Sequence, residues 1–405
     1  MAMTRGAAPS SQPSPAQANM QARRLILQGG LVGNTYFPPA IDMWQPLNPG
    51  LPSSPGPGSV ITFYVRNVGL VKRLVMQFKA TVTAGASTTS TLTKWGLANL
   101  ISNVTFFDLG NNQRINTTGW HLTAVASAKR RSVFAAAVTT DTPLGYGNNN
   151  NRVMFAPATI AATVASEIDF QLEIPFVRND QDLRGAIFAD VTQATMQVQV
   201  TLNPNMFVSS TADPTLAVYQ SGGSDLASLS GLTIQVYQNY LDQLPRVNGN
   251  GPPILPQLDL GTAYLLNQSS SGLPIVNQDN GYAFTNARTY ESLTFAYDNN
   301  GTLNVNGTDL NYVALTSANF TNILNLNGKM LGLMDRLVIK DDFPAGMYYL
   351  DFRHRPIDTN QFGNMVLNIN PSSVGGSGAV FYYGAEAYGI IGLVNQGGSI
   401  PTGGG

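Results

Sequence analysis

The chain contains no cysteine among its 405 residues. Disulfide frameworks and cysteine-based zinc sites are thereby excluded, so packing and association must supply the stability. Charge is scarce as well. Lys, Arg, Asp and Glu make up 11% of the chain, less than half the usual share of about 25%. The formal net charge is −1, which is far from the basic footprint of a nucleic-acid binder. The only two histidines are His121 and His354, and neither has a second histidine at metal-binding spacing. No run of about 18 apolar residues is present to cross a membrane. Met1–Ser14 lacks the apolar stretch of a secretory signal, so the expected product is soluble and made in the cytoplasm.

What the chain does have suits short strands and many loops. Hydrophobic residues reach 43%, with 40 Gly and 24 Pro, and polarity comes from Asn, Gln, Ser and Thr rather than from the Glu and Lys of exposed helix faces. A near-neutral surface repels itself weakly and favours association. The length exceeds what a single core usually serves, so two domains are expected.

Residues 1–30 read as an N-terminal arm: an Ala/Pro/Ser/Gln-rich start, then a helical segment from Pro15 to Gln28 that stops at Gly29-Gly30. Leu31–Ser59 carries seven prolines at 38, 39, 46, 49, 52, 55 and 57 and reads as an extended connector without a regular element. Strand signals begin at Val60. Glu167–Ile174 alternates strictly, with Ile168, Phe170, Leu172 and Ile174 on one face; Thr195–Leu202 and Leu232–Val236 repeat the pattern. Such alternation marks antiparallel sheet with one wet face. Val60–Val65, Leu74–Val82 and Val104–Phe107 join them, with one helical island at Gly119–Arg131. A boundary falls near Leu244–Pro253. Ala263–Leu266, Leu293–Tyr297, Arg336–Ile339, Met347–Phe352, Met365–Ile369 and Val380–Tyr383 then read as strands. The resulting division is 1–30 arm, 31–245 first sandwich with its connector, 246–396 second sandwich, and 397–405 Gly-rich tail. The pattern alone implies two antiparallel β-sandwiches in tandem.

Motifs that could carry chemistry fail on inspection. Gly375-Gly-Ser377-Gly-Ala379 misses the last glycine of a nucleophile elbow. Asp298-Asn-Asn-Gly301 opens like a calcium loop, but Leu303 stands where the loop needs glycine and Asp309 where it needs a bidentate Glu; a hairpin turn is the better reading. The pairs Glu167/Asp169 and Asp341/Asp342 lack any specific context. His121 and His354 read as packing or hydrogen-bonding residues. No catalytic, cofactor-binding or metal-binding residue is assigned, and an enzyme is not expected. Arg23-Arg24, with Arg5 upstream and Leu25 and Leu27 beside them, form a short basic-amphipathic patch. It reads either as a face for anionic lipid or as a helix end complementing its dipole.

Several segments resemble the tectivirus-type double jelly-roll major capsid proteins. They are Thr117–Leu122, Ala156–Ala162, Val236–Pro245, Gly307–Tyr312 with Ala318–Phe320, and Asp342–Tyr349, in the family's order. Gly119-Trp-His-Leu122 and Tyr240-Leu-Asp-Gln-Leu-Pro245 are the most specific. The resemblance implies an all-β chain of two tandem eight-stranded antiparallel jelly rolls with a short N-terminal helical arm, in the lineage of adenovirus hexon. It implies a pseudo-hexagonal homotrimer tiling an icosahedral shell around an internal lipid membrane, in a tailless double-stranded DNA bacterial virus. The implied partners are neighbouring trimers, penton and minor capsid proteins, and the viral membrane for the arm, with no direct nucleic-acid contact. The implied location is the virion shell, after synthesis in the host bacterial cytoplasm. A rival reading is a β-sandwich carbohydrate-binding or depolymerase spike, suggested by aromatics between Tyr282 and Tyr297. A surface-layer protein is weaker, for want of a signal peptide.

Overall fold

The computed structural model describes residues 40–48, 55–130, 154–180, 182–190, 195–244, 262–272, 274–303, 308–318, 322–339, 343, 346–374 and 378–390. The N-terminal arm with Arg5, Arg23, Arg24, Leu25 and Leu27, the segment after Leu244, Asp341/Asp342, Gly375–Ser377 and the Gly-rich tail lie outside the described residues.

The first half contributes β1 (Ile41–Leu47), β2 (Val60–Val65), β3 (Leu70–Thr83), β4 (Ile101–Phe107), β5 (Gln113–Thr117), α1 (Gly119–Arg130), β6 (Ala165–Pro175), β7 (Met196–Leu202) and β8 (Ser228–Asp242). The second contributes β9 (Thr262–Gly272), β10 (Asn280–Ala283), β11 (Arg288–Asn299), β12 (Leu310–Ser317), β13 (Leu324–Leu326), α2 (Gly328–Ile339), β14 (Met347–Asp351), β15 (Met365–Pro371) and β16 (Val380–Ile390). One sheet of the first sandwich runs β1-β8-β3-β6, and one sheet of the second runs β10-β15-β12-β13. The alternation read in the sequence is what builds them. In β7 every second residue from Met196 to Leu202 is buried, and Phe170 of β6 stands opposite Phe78 of β3 with ring centroids 6.0 Å apart. Burying each such side chain contributes about 1.5–3 kcal/mol.

The opposing sheets of the two sandwiches are not separate. A ten-stranded sheet includes the path β11-β16-β9-β5-β4-β7-β2. Its middle joint is a short parallel pairing of β9 with β5, Leu266 against Ile115 and Asn267 against Asn116. The two sandwiches therefore share one sheet across their junction, which the tandem reading did not anticipate. Alternation along β16 feeds two cores at once. Phe381, Tyr383, Ala385 and Ala387 face the second sandwich, while Tyr382 and Tyr388 face the first. A period of 2 sends neighbours to opposite faces, so a sheet wedged between two cores has no wet face.

Three expectations are corrected. Arg336–Ile339 is the end of helix α2 rather than a strand. Leu331, Asp335 and Val338 are buried at helical spacing, and the Asn327 side chain accepts from the Met330 amide at 3.0 Å to cap the first turn. Second, the Pro-rich connector holds the regular strand β1, paired with β8 from Ile41 to Leu47. β1 is an edge strand, where Pro46 needs no second ladder partner. Third, the aromatics behind the spike reading are interior: Tyr290 and Tyr297 are buried because β11 is covered on both faces, and Tyr282 of β10 stacks on Phe381 in the same core. The hairpin expected at Asp298–Gly301 is present. Asp298 pairs with Leu303, and Asn300 and Gly301 both take positive φ, 56° and 82°, as a two-residue primed turn requires.

Candidate functional site

No catalytic constellation was expected, and the feature that organises this molecule is the seam between the sandwiches. Its apolar part is an aromatic cluster. Trp95 precedes a short 3-10 turn (Gly96–Leu100) and Trp120 opens α1. Their ring centroids lie 5.1 Å apart, and Tyr382 of β16 meets both edge-on at 6.2 and 6.3 Å. His121 follows Trp120. It is fully buried and its Nδ1 lies 2.7 Å from the Thr117 hydroxyl. Burial lowers its pKa to about 4, so it is neutral. Gly384 of β16 packs on the imidazole so closely that a Cβ there would stand 2.4 Å from the ring. The docking of α1 on β16 thus requires glycine at that point. His354, the other histidine, is exposed.

The polar part is a buried ion network. Glu386 of β16 is fully buried. Its Oε1 lies 2.8 Å from Lys129 Nζ at the end of α1, and it accepts from the Tyr264 hydroxyl at 2.6 Å. Its Oε2 accepts from the Ser292 hydroxyl at 3.0 Å. Burial pushes this carboxyl up, but Lys129 and the hydrogen bonds outweigh it and hold the pKa below its ordinary value. Lys129 also donates to the Tyr264 oxygen at 2.7 Å and sits over that ring, 4.5 Å from its centroid.

A second buried carboxylate stands beside the first. The register of β11 on β16 shifts between Tyr290 and Ser292, so Glu291 and Ser292 both reach the seam, as a bulge allows. Arg178, in the turn after β6, places Nε 2.8 Å from Glu291 Oε2, and Arg184 approaches Oε1 at 3.6 Å. Burial drives Glu291 up to about 7 against the pull of Arg178, and the charge of Glu386 adds to the rise. Arg184 is itself clamped by Asp182 at 2.6 Å and lies over the Tyr388 ring at 4.6 Å. Arg178 donates to the Arg353 carbonyl at 2.9 Å, and Arg114, paired with Asp108 at 2.7 Å, donates to the Gly185 carbonyl at 2.9 Å. Gly185 takes φ +89°, and a Cβ there would collide with Tyr264. Lys129, Arg178 and Arg184 belong to the first sandwich and Glu291, Glu386, Tyr264 and Tyr388 to the second. The pairs Lys129–Glu386, Arg178–Glu291 and Arg184–Glu291 each join a cation of the first sandwich to an acid of the second.

The sequence reading missed these residues. A signal existed for one of them: Glu386 is the one acid in an otherwise apolar and aromatic strand of a charge-poor chain, and such an acid is normally buried with a partner. The partners are far away in sequence, so spacing could not name them. Of the carboxylates that the sequence singled out, Glu167 and Asp169 behave as solvated acids, whereas Asp298 of the calcium-like loop is fully buried. Glu167 is exposed and Asp169 is partly exposed, pairing with Lys79 at 3.5 Å.

Two β-sandwiches fused through a shared sheet are the fold of the double jelly-roll capsid proteins, and solved structures share it. The chain resembles the Sulfolobus Turreted Icosahedral Virus structure at TM-score 0.58 and 10% identity, covering 88% of this chain and 96% of the other. It resembles PBCV-1 VP54 at 0.56 and 13%, covering 86% and 94%, and the Faustovirus major capsid protein at 0.52 and 10%, covering 87% and 90%. Within that class, the family model described as P3 major capsid protein N-terminal matches residues 3–244, and P3 major capsid protein C-terminal matches 261–402. The chain is 36% identical over 360 residues to major capsid protein P3 of Enterobacteria phage PRD1, covering 88% of this chain and 87% of that protein. It belongs to the P3 major capsid protein family. It is a structural protein of the virion shell of a PRD1-like phage, and its relatives are capsid proteins, not enzymes.

Replacing Lys129 by Met leaves Glu386 buried without its cation. Loss of one partner of a buried pair costs about 3–5 kcal/mol, and denaturant unfolding of the full chain checks it. Glu291 gives a pH signature. Its folded pKa of about 7 lies above the unfolded value, so its contribution is fully present below the unfolded pKa and is lost as pH rises through about 7. The thermal midpoint of Glu291→Gln is therefore expected to fall less than that of the wild type between mildly acidic and mildly alkaline pH.

Proposed function

We propose that this chain assembles as a homotrimer of two-roll blocks with a pseudo-hexagonal outline, and that these trimers tile an icosahedral shell around an internal membrane. The observation that carries the reading is the welded seam. It makes each chain a fixed pair of similar sandwiches, so three chains around one axis present six. Surface suited to burial between copies is available: Trp44, Tyr64, Leu333 and Leu337 are exposed large apolar side chains, of the kind that association removes from water. The division into arm, first roll to about residue 245, second roll to about residue 396 and tail belongs to the same reading. So do contacts with neighbouring trimers, penton and minor capsid proteins, and synthesis in the host cytoplasm.

Size-exclusion chromatography with light scattering is expected to give three times the mass of the 43.2 kDa chain, and negative-stain images a threefold, six-cornered outline. A strictly monomeric protein at micromolar concentration would end this reading. The arm is assigned to the membrane side, with Arg5, Arg23 and Arg24 toward anionic headgroups and Leu25 and Leu27 toward the acyl region. Each Arg contributes about 1 kcal/mol at such a surface, an attraction that counts when multiplied over many copies. Trimers are expected to co-float with anionic vesicles and to lose that on Arg23→Glu/Arg24→Glu; equal flotation of both would remove the arm from this role.

A further inference from the structure

A second polar contact crosses the seam, away from the ion network, and among the described residues it has no cation. Asp298 closes β11 and is fully buried. Its Oδ1 accepts from the Gly301 amide at 2.8 Å. Its Oδ2 is buried with no donor in hydrogen-bonding geometry. Facing it is the loop between β7 and β8 of the first sandwich. There Asp213 Oδ1 accepts from the Thr215 amide at 2.8 Å, and the buried Thr215 hydroxyl also lacks a partner in hydrogen-bonding geometry. Gly301 lies between the two acids. Its amide serves Asp298, and a Cβ on it would stand 3.5 Å from Asp213 Oδ1. Two carboxyls held together, one of them sealed from water, cannot both ionise at ordinary cost.

We propose that Asp213 and Asp298 share one proton, carried on Asp298 Oδ2 and donated to the Asp213 carboxylate, and that this bridge is a pH-sensitive latch between the two jelly rolls. The bridge supplies the donor that the buried oxygen otherwise lacks. It also explains how an acid is tolerated at the end of a strand whose neighbours, Tyr297 and Tyr382, are buried phenols. The electrostatics agree: burial first, and then Asp213, raise Asp298 to about 7 against the nearby Thr215 hydroxyl and the Gly301 amide, which pull it down. Among the described residues, the other groups facing the pair add no positive charge. Tyr382 has its own pKa raised by burial, with Asp298 and Asp213 adding to it. Tyr297 donates to the Ser373 carbonyl at 2.7 Å, and its pKa is raised by burial, then by Asp309 and Asp298. The sign follows. Asp298 binds its proton more tightly folded than unfolded, so the latch is complete below the unfolded pKa and is lost as pH rises through about 7. Above that, the second charge separates the loop from β11.

The test is difference infrared spectroscopy, titrated from about pH 5 to about pH 9, of the full-length Glu291→Gln protein, which removes the other group of similar pKa, and of the same protein carrying Asp298→Asn or Asp213→Asn. The expected result is a protonated-carboxyl C=O band that disappears with a midpoint near neutrality and is absent in Asp298→Asn. In Asp213→Asn the midpoint falls by at least one pH unit, a tenfold loss of proton affinity. The thermal midpoint should fall across the same pH range in the background protein and stay flatter in Asp298→Asn. An Asp298 band that titrates in the ordinary carboxylate range, or one unmoved by Asp213→Asn, overturns the proposal. So does calcium chloride abolishing the band below neutral pH and raising the thermal midpoint only when Asp298 is present, because the pair would then be a cation site. If Asp298→Asn does not fold, Asp213→Asn decides the matter alone, because that residue lies on an exposed loop.

Discussion

The fully buried carboxylate of Glu386 is the constraint on which the rest of this molecule depends. A charge with no access to water must be met by an opposite charge and by donors for its remaining lone pairs. Here that requirement fixes the end of α1 through Lys129, the start of β9 through Tyr264 and the middle of β11 through Ser292. Once these are placed, little freedom remains. Trp120 and His121 must lie against β16, and residue 384 must be glycine to admit the imidazole. Apolar packing alone could tolerate a slide of one sandwich along the other. Discrete, directional pairs of charges do not.

The shared sheet gives the same result by a different route. β9 pairs with β5 on one side and β16 on the other, so backbone hydrogen bonding passes from one sandwich to the next without a break. β16 fills both cores with alternate side chains. A shell protein needs a block whose shape does not vary between copies, because small angular errors accumulate around a closed surface. Low overall charge serves that use as well, because a charge-poor chain repels its copies only weakly.

Most of the fold could be read from the residues. Strands such as Glu167–Ile174 and Thr195–Leu202 alternate because one face is buried, and a period of 2 is local information. The helical island at Gly119 and the Asn300-Gly301 turn are equally local. Misreadings arose where context overrides pattern. Leu337-Val-Ile339 looks like a strand but continues a helix capped ten residues earlier. Pro46 argues against a strand, but only in a position that needs both ladder partners, and β1 lies at an edge. Tyr282, Tyr290 and Tyr297 suggested a binding face, but burial of a sheet on both sides is not visible in one strand's composition.

By itself the sequence determined the fold class, the two-sandwich organisation, the absence of cysteine chemistry and, through its ordered family segments, the kind of protein this is. Those properties rest on local periodicity, composition and short motifs, which survive without knowledge of distant partners. Only the tertiary structure decided that the sandwiches share a sheet, that Glu291 and Glu386 meet Arg178, Arg184 and Lys129, and that Asp213 faces Asp298. These pairings join residues separated by about 85 to 257 positions. The energy of a buried charge depends on what surrounds it in space, and no spacing along the chain encodes that.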